Sequence, residues 1–534
     1  MNSQPHAASG RSPAISIGES GARAPRFQRL DKFLVVFIGL ALTARLVFWL
    51  YTGRIWEDAL ITLTPARNAW EGFGLTHHAS EPRVHSFTSP LSVLIPLAGE
   101  SIGQGLLALR LASLAAGAAA IHYAYRLGRE LEFHWAGLVA LLSYLALDHL
   151  QIFFGMSGME TQIATSLALA NAYYWLTSQW RKLGLALGLG LLCRPEFCLW
   201  APILGLSILL IRNYRALIPV VGLSSAIFVP WIVFATLYYG SPIPHTIVAK
   251  SFSFRAGLHL PIDWRVLGNY FLASWKSVAP FREYWFVQRS PIPDAVLVSI
   301  VLLVAVLALI GMARASVHRP RMLAVAAFML AFFAYYVGSV IIPYYMWYLR
   351  PFLALAAVFA GYGISTLALA APRLACASGL AIALAYSLPL PFVLPLDRRM
   401  QIEVDDAVRA RVGRRLDSLM GPDDTAVLEP LGYIGWFARN KTIYDFPGLG
   451  SKVAVRALRT MRDTTPCALI RRLKPTFAVL RPHEYERLRD SYQEIAELYT
   501  VVEDIKGPTE RVIGNLGTNY GIADGEFLIL RRAR

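Results

Sequence analysis

Residues 56–90 read WEDALITLTPARNAWEGFGLTHHASEPRVHSFTSP and carry the densest group of polar side chains in a mostly apolar part of the chain. This stretch directly follows the first long apolar run, Phe33 to Leu50. A run of that length is typical of a membrane-spanning helix, so the stretch begins where that helix leaves the bilayer. Two carboxylates, Glu57 and Asp58, therefore lie at the membrane surface, where polar groups can act on a water-soluble substrate.

The composition indicates a polytopic membrane protein. The 534 residues are 55% hydrophobic and 16% charged, and the mean hydropathy is +0.45, whereas about 25% of the residues in a soluble domain are charged. The formal net charge of +16 does not predict a nucleic-acid partner. Much of it lies in short hydrophilic loops, where Lys and Arg fix the orientation of membrane helices.

The chain contains about eleven apolar segments long enough to span a bilayer. Arg and Lys occur in every loop that this topology places in the cytoplasm, so we expect a multi-pass protein of the inner, cytoplasmic membrane. Residues 1–32 are rich in Ser, Ala, Gly and Arg and are predicted to form a disordered, basic cytoplasmic tail. The predicted membrane domain covers residues 33–396.

From residue 397 to residue 534 the composition changes. Charged helical patterns alternate with short β-rich runs such as TFAVL and GEFLIL, which predicts a small α/β domain. An odd number of spans places this domain on the outer, extracytoplasmic face, beside the polar stretch.

Two interpretations of Asp58 remain open. In the first, Asp58 is the N-cap of a helix that begins ALITL, and Thr64-Pro65 begins a second short helix. In the second, Asp58 is a general base at the membrane surface. Both can hold together, because a capping residue is rigidly placed.

The same stretch offers further candidates for contact with an acceptor. His77, His78 and His85 match no spacing known for metal ligands, and Glu81 is the only carboxylate near them, so we interpret them as solvated or substrate-contacting histidines. The candidate acceptor-side residues in this stretch are Arg67, Asn68, His77 and His85, and Glu160 in the later motif SGMET is added to them.

Ionisable residues at membrane depth form a second group. Arg194 and Glu196 in RPE, Glu160 in SGMET and Arg350 in WYLRP lie between apolar runs, where charges are costly and commonly mark a function. The alternative is that Arg194 and Glu196 form an internal structural ion pair.

Two further segments predict contacts with a donor. SPIPHTIVAK carries His245 and Lys250 at the membrane edge. The lysine either extends its amine to the interface or holds a phosphate as a point charge. Tyr345 and Tyr348 belong either to an interfacial aromatic belt or to a wall on which a sugar stacks.

Taken together, these segments resemble terminal arabinofuranosyltransferases, polyprenyl-phosphate-dependent enzymes of the GT-C superfold. The matching motifs, in order, are EDALITLTPARN, EGFGL and HSFTSPL in the polar stretch, SGMET at 157–161, RPE at 194–196, YYGSPIPHTIVAK at 238–250, WYLRP at 347–351, GYIGWF at 432–437 and YDFPGLG at 444–450. The chain differs from the family pattern at Thr64-Pro65 (Arg-Tyr in the family), His85-Ser86 (Glu-Gly) and Ser92 (Trp).

The resemblance implies an inverting transfer of a sugar, best D-arabinofuranose, from a polyprenyl phosphate to a cell-envelope glycan or glycoprotein. It implies that Asp58 takes the acceptor proton with help from Glu57, and it leaves open whether these two carboxylates hold a divalent cation. Arg194, Lys250 and Arg350 would face the donor phosphate.

Two other functions remain open. One is a GT-C hexosyl or aminopentosyl transferase that acts on lipopolysaccharide or protein. The other is a transporter or a non-catalytic envelope-assembly protein. A transporter should show two related halves with paired broken helices, and the sequence shows no such repeat.

Overall fold

The computed structural model describes residues 27–253, 279–280, 292–338, 346–461, 463–508 and 524–533. Most of the predicted cytoplasmic tail lies outside the described residues, and so do Tyr345 and most of the predicted outer loop 239–292. The helices of the membrane part are, in chain order, α1 (Phe27–Thr52), α2 (Glu57–Trp70), α3 (Leu91–Glu100), α4 (Gly105–Glu130), α5 (Trp135–Leu147), α6 (His149–Met156), α7 (Thr161–Leu176), α8 (Trp180–Cys193), α9 (Phe197–Leu210), α10 (Tyr214–Tyr239), α11 (His245–Ser253), α12 (Asp294–His318), α13 (Met322–Gly338), α14 (Met346–Ala370), α15 (Pro372–Ser387) and α16 (Pro389–Met400).

Seven helices in the described part of the chain are long and apolar enough to cross a membrane, and shorter apolar helices accompany them. The fold is therefore that of a multi-pass membrane protein, as the sequence predicts. The difference from the expected eleven segments lies in helices such as α8 and α9, which have 14 residues each. At about 1.5 Å per residue, each covers roughly 21 Å, less than the thickness of the hydrocarbon core.

One long helical run joins the membrane part to the C-terminal part. The run extends over Pro372–Leu419, 48 residues in all. It includes α15, α16, a π-helical segment over Gln401–Arg409 and α17 (Ala410–Leu419). Because the run does not break at residue 397, the membrane helix itself carries the first residues of the C-terminal domain.

The C-terminal domain is built on a five-stranded sheet of order β2-β1-β3-β5-β4. Its strands are β1 (Thr425–Leu428), β2 (Thr442–Asp445), β3 (Phe477–Leu480), β4 (Tyr499–Lys506) and β5 (Glu526–Arg532). β1 is parallel to β2 and β3, and β5 is antiparallel to β3 and β4. The central strand β3, FAVL, is buried along its whole length, because helices pack on both faces of the sheet.

The helices of this domain are α18 (Leu431–Phe437), α19 (Lys452–Arg459), α20 (Pro466–Leu473), α21 (Pro482–Ser491) and α22 (Gln493–Ala496). The small α/β domain that the sequence predicts is confirmed.

Buried ion pairs connect the two parts of the chain. Arg54, in the link between α1 and α2, pairs with Asp405 on the π-helix. Arg409 bonds Asp405 at 2.7 Å and also contacts Asp524. Asp524 in turn bonds Arg481 at 2.5 Å. Cations and carboxylates alternate along this buried chain of contacts, so each buried charge has a partner of opposite sign.

Glu57 forms a second connection between the two parts. Its carboxylate accepts hydrogen bonds from the backbone N–H groups of Gly432 and Tyr433, at the start of α18. A Cβ atom on Gly432 would lie 2.1 Å from the backbone oxygen of Glu57, so only glycine permits this approach. The start of helix α2 therefore packs directly against the C-terminal domain.

Candidate active site

The helix α2 runs without interruption over Glu57–Trp70, with Pro65 inside it. Trp56 precedes the helix and makes no side-chain cap, and Asp58 is the second helical residue. The interpretation of Asp58 as an N-cap, with a second helix starting at Thr64-Pro65, is therefore wrong. Both acidic residues lie in the first turn, where carboxylates interact favourably with the helix dipole.

His77 explains how α2 tolerates its proline. Pro65 has no N–H to donate to the carbonyl of Ile61, one turn earlier. The Nε2 atom of His77 lies 3.0 Å from that same carbonyl oxygen. Burial lowers the pKa of His77 to about 3, so its ring is neutral, and the tautomer that carries the proton on Nε2 supplies the missing donor.

The exposed side of α2 faces a cleft of about 460 Å³, open mouth included. The cleft combines charged, aromatic, hydroxyl and aliphatic side chains. They are Asp58, Glu160, Arg194 and Lys250; Phe87, Trp347 and Tyr348; Thr62, Ser86, Thr88, Ser89, Ser92 and Thr246; and Ile61, Met159 and Leu449. Five of the predicted site residues are thus brought together: Asp58, Glu160, Arg194, Lys250 and Tyr348.

Asp58 is the base candidate within this cleft. Burial raises the pKa of its carboxyl above the usual value, Lys250 opposes the rise, and Glu160 adds to it. Among the residues that the structure describes, none donates a hydrogen bond to the Asp58 carboxylate. A carboxylate that is desolvated and keeps its lone pairs is a stronger base than the same group in water.

Arg194 is held by two carboxylates. Its Nη1 bonds Glu160 at 2.8 Å, and its Nη2 and Nε bond the two oxygens of Glu196 at 2.8 and 3.1 Å. The guanidinium also stacks on the ring of Tyr348, 4.2 Å from the ring centroid. The structural ion pair that the sequence left as an alternative is therefore present, and Glu160 belongs to it.

A second, apolar cleft of about 290 Å³ adjoins the first. Both clefts share Arg194 and Tyr348 as lining residues. The remaining lining of the second is Ala168, Glu196, Phe197, Phe328, Phe332, Pro351 and Phe352. Lys250 approaches the shared wall from the polar side, with its Nζ 3.4 Å from the hydroxyl of Tyr348. A charged cavity and an apolar one thus meet at a single Arg–Tyr boundary.

Arg350 does not join Arg194 and Lys250. It is fully buried and pairs with Asp148, with Nη1 and Oδ1 3.6 Å apart. Glu57 does not line the cleft either, because its carboxylate is bound to α18. The carboxylates of Glu57 and Asp58 therefore have different surroundings, and no group of three His, Cys, Asp or Glu residues that could hold a metal ion occurs in the described ranges.

The predicted acceptor residues on the polar stretch serve mainly to hold that stretch in place. Arg67 donates to the Trp436 carbonyl at 3.0 Å and stacks on the Trp436 ring. Asn68 donates to the carbonyls of Thr76 and His77 at 2.9 and 2.8 Å. These contacts fix the loop after α2 and bind it to the C-terminal domain, and neither residue lines the cleft.

His85 and His245 lie behind the wall of the cleft. The His85 ring stacks on Tyr239 with 4.7 Å between ring centroids, and burial lowers its pKa to about 4. His245 donates its backbone N–H to the His85 carbonyl at 2.8 Å. Its Nε2 lies 3.3 Å from the Ser451 carbonyl of the C-terminal domain. Both histidines therefore support the wall.

Sequence analysis did not include Ser86, Thr246 and Leu449 among the candidate site residues, although all three line the cleft. Ser86 begins the hydroxyl-rich run SFTSPLS, which gave a usable signal. Leu449 lies in the motif YDFPGLG, but the motif alone does not show that this loop of the C-terminal domain reaches the cleft. Asp445 holds the loop that carries Leu449 by accepting three backbone hydrogen bonds, from Gly448, Leu449 and Gly450.

Comparison with solved structures places this architecture in a known fold. The chain is similar to ArnT from Cupriavidus metallidurans, which has been solved by crystallography both bound to undecaprenyl phosphate and in the apo state. The bound form matches with a TM-score of 0.53 at 12% sequence identity and the apo form with 0.52 at 13%; each match covers 94% of this chain and 98% of the ArnT chain. The GT-C fold that the sequence predicts is confirmed.

The match to a family model covers a smaller part of the chain than the match to the solved structures. Residues 398–522 match a family model described as a domain of unknown function, DUF8728. No curated protein matches the chain. The matched range coincides with most of the C-terminal domain described above.

The contact between His77 and the Ile61 carbonyl predicts an energetic coupling between His77 and Pro65. His77→Phe should lower the free energy of unfolding by about 1–3 kcal/mol, because a buried carbonyl loses its donor. In a Pro65→Ala background the backbone N–H at position 65 replaces that donor, so the same change should cost at least about 1 kcal/mol less. Denaturant unfolding of the purified full-length protein measures both values.

His78→Phe is the matched control for this cycle. His78 bonds Ser80 at 2.6 Å rather than α2, so its replacement should cost the same in both backgrounds. An equal cost of His77→Phe with and without Pro65 would show that the histidine does not compensate for the proline.

Proposed function

We propose that the chain is a GT-C glycosyltransferase that moves a sugar from a polyprenyl phosphate to an acceptor on the outer face of the cytoplasmic membrane. One observation carries the proposal: Asp58 and Lys250 line a polar cleft that meets an apolar cleft at Arg194 and Tyr348. A lipid-linked donor has the same two-part character, with an anionic head and an apolar chain. The similarity in fold to ArnT, solved with undecaprenyl phosphate, supports the proposal.

In the proposed reaction an acceptor hydroxyl attacks C1 of the donor sugar and gives its proton to Asp58. The bond between C1 and the phosphate oxygen breaks, and its electron pair leaves with the polyprenyl phosphate. Attack opposite to the leaving group inverts the configuration at C1. Phosphate leaves without needing a proton, so one base suffices, in contrast to the paired carboxylates of glycosidases.

Lys250 is proposed to stabilise the charge that develops on the departing phosphate. It faces Asp58 across the cleft and lowers the pKa of that carboxyl, and it reaches the boundary with the apolar cleft through Tyr348. The aromatic side chains of the apolar cleft, among them Phe197, Phe328 and Phe352, offer a surface for the first isoprene units.

D-Arabinofuranose is the proposed sugar and an envelope glycan or glycoprotein the proposed acceptor, on the strength of the sequence motifs. Purified full-length protein in nanodiscs, given undecaprenyl-phosphoryl arabinofuranose, mannose, glucose and 4-aminoarabinose with total envelope glycan, tests the function and the sugar together. Transfer of arabinofuranose supports the proposed sugar, transfer of a hexose or of 4-aminoarabinose supports the alternative GT-C transferase, and no transfer supports the transporter or assembly protein.

The general-base role predicts that Asp58→Asn loses transfer by about a hundredfold or more. The amide keeps the size of the side chain but cannot accept the proton, so donor binding and folding should remain normal. Glu71→Gln is the matched control: it changes the carboxylate that directly follows the other end of α2, is partly exposed and lies outside the cleft lining, and it should retain most of the transfer rate. Near-normal turnover of Asp58→Asn would remove Asp58 as the base.

The electrostatic effect of Lys250 on Asp58 predicts a shift in the pH dependence. The base must be ionised, so the rate falls as the pH drops through the Asp58 pKa. Because Lys250 lowers that pKa, Lys250→Met should raise it and move the acid limb of kcat/KM to higher pH. Lys506→Met, on the exposed strand β4, should leave the limb in place. An unchanged acid limb of kcat/KM in Lys250→Met would contradict the electrostatic effect of Lys250 on Asp58.

The proposed orientation predicts which thiols a membrane-impermeant reagent reaches. In a variant without native cysteines, Glu494→Cys should be labelled in intact spheroplasts, because this side chain is 66% exposed on the C-terminal domain. Glu132→Cys, 80% exposed on the opposite face, should be labelled only after lysis. The reverse pattern would place the cleft on the cytoplasmic side.

A further inference from the structure

Two buried hydroxyl groups face the cleft without a partner. Ser86 and Thr246 line the cleft and are 1% and 5% exposed. Within the described ranges, neither hydroxyl oxygen makes a hydrogen bond. The neighbouring hydroxyl of Ser92, in contrast, donates to the Ser89 carbonyl at 2.8 Å. A buried hydroxyl without a partner is destabilising, so its place in a ligand cavity points to a polar group supplied by the ligand.

A backbone hydrogen bond joins the two segments that carry these hydroxyls. The His245 N–H donates to the His85 carbonyl at 2.8 Å, and Ser86 and Thr246 each follow one of these two residues. Behind the pair, His85 packs on Tyr239 and on Phe87. The hydroxyls therefore come from two different segments but stand on a rigid, buried support, as a binding site requires.

The position of Thr246 relative to Lys250 indicates which part of a ligand it meets. The two residues are four apart on α11, so their side chains lie on one face of the helix, about 6 Å apart along its axis. A phosphate held at Lys250 would thus place the sugar attached to it beside Thr246. This spacing favours the donor sugar over the acceptor as the group that the hydroxyls bind.

We propose that Ser86 and Thr246 bind ring hydroxyls of the donor sugar; the proposal rests on the function proposed above. Of the charged side chains in the cleft, Glu160 and Arg194 are bonded to each other at 2.8 Å, and Asp58 and Lys250 are assigned to the acceptor and the phosphate. Hydroxyl groups both donate and accept, as a polyhydroxylated ring requires.

Binding measurements on the purified full-length protein in nanodiscs test the sugar site. The probes are bare undecaprenyl phosphate and undecaprenyl-phosphoryl arabinofuranose, mannose, glucose and 4-aminoarabinose. Wild-type protein should bind at least one of the sugar lipids more tightly than the bare lipid. Ser86→Ala and Thr246→Val should each weaken binding of that sugar lipid about tenfold and leave the bare lipid within about twofold.

Two further variants separate recognition from a structural effect. Thr246→Ser keeps the hydroxyl and should restore the affinity for the sugar lipid. Ser113→Ala removes another buried hydroxyl without a described partner, on α4 and away from the cleft, and should change no affinity.

The outcomes distinguish this proposal from the function on which it rests. If neither bare nor sugar-bearing undecaprenyl phosphate binds, the proposed function fails and the sugar site with it. If sugar lipids bind and are transferred but Ser86→Ala and Thr246→Val bind them like wild type, the sugar site alone is overturned.

Discussion

The contact between the Glu57 carboxylate and the first N–H groups of α18 is the constraint on which the arrangement of the site depends. Successive residues of a helix point about 100° apart. Once Glu57 is bound to Gly432 and Tyr433, its neighbour Asp58 is therefore directed into the cleft. Burial raises the pKa of Glu57 to about 7 and Arg409 opposes that rise. The two adjacent carboxylates therefore have different surroundings, because Glu57 accepts hydrogen bonds from backbone N–H groups and Asp58 lines the cleft.

The buried ion pairs make the C-terminal domain an integral part of the site. Arg54, Asp405, Arg409, Asp524 and Arg481 link the end of α1, the π-helix and the sheet. Removing one member would leave an uncompensated buried charge, which typically costs about 3–5 kcal/mol. The domain also supplies Leu449 to the cleft and an acceptor for His245. Its position and the geometry of the cleft are therefore set together.

The sequence predicts those features that depend on local patterns. Apolar runs and basic loops give the membrane helices, and alternating helical and β patterns give the C-terminal domain. Asp58 could be located because it follows the first span so closely. The continuity of α2 could not be predicted, since a distant histidine replaces the hydrogen bond that Pro65 cannot make. In the same way, depth in the membrane marks Arg350 as unusual, but only the tertiary structure shows that Asp148 is its partner.

The charge balance at the Arg194 boundary revises the sequence-based hypothesis that three cations converge on the phosphate. Arg194 is bonded to both Glu160 and Glu196, so the three groups together carry a net negative charge when both carboxylates are ionised. Such a cluster does not attract a phosphate. Its guanidinium instead packs on Tyr348, which fixes the wall between the polar and the apolar cleft. In the proposed reaction the electrostatic stabilisation of the departing phosphate therefore falls to Lys250, and Arg194 lines the boundary between the polar and the apolar cleft.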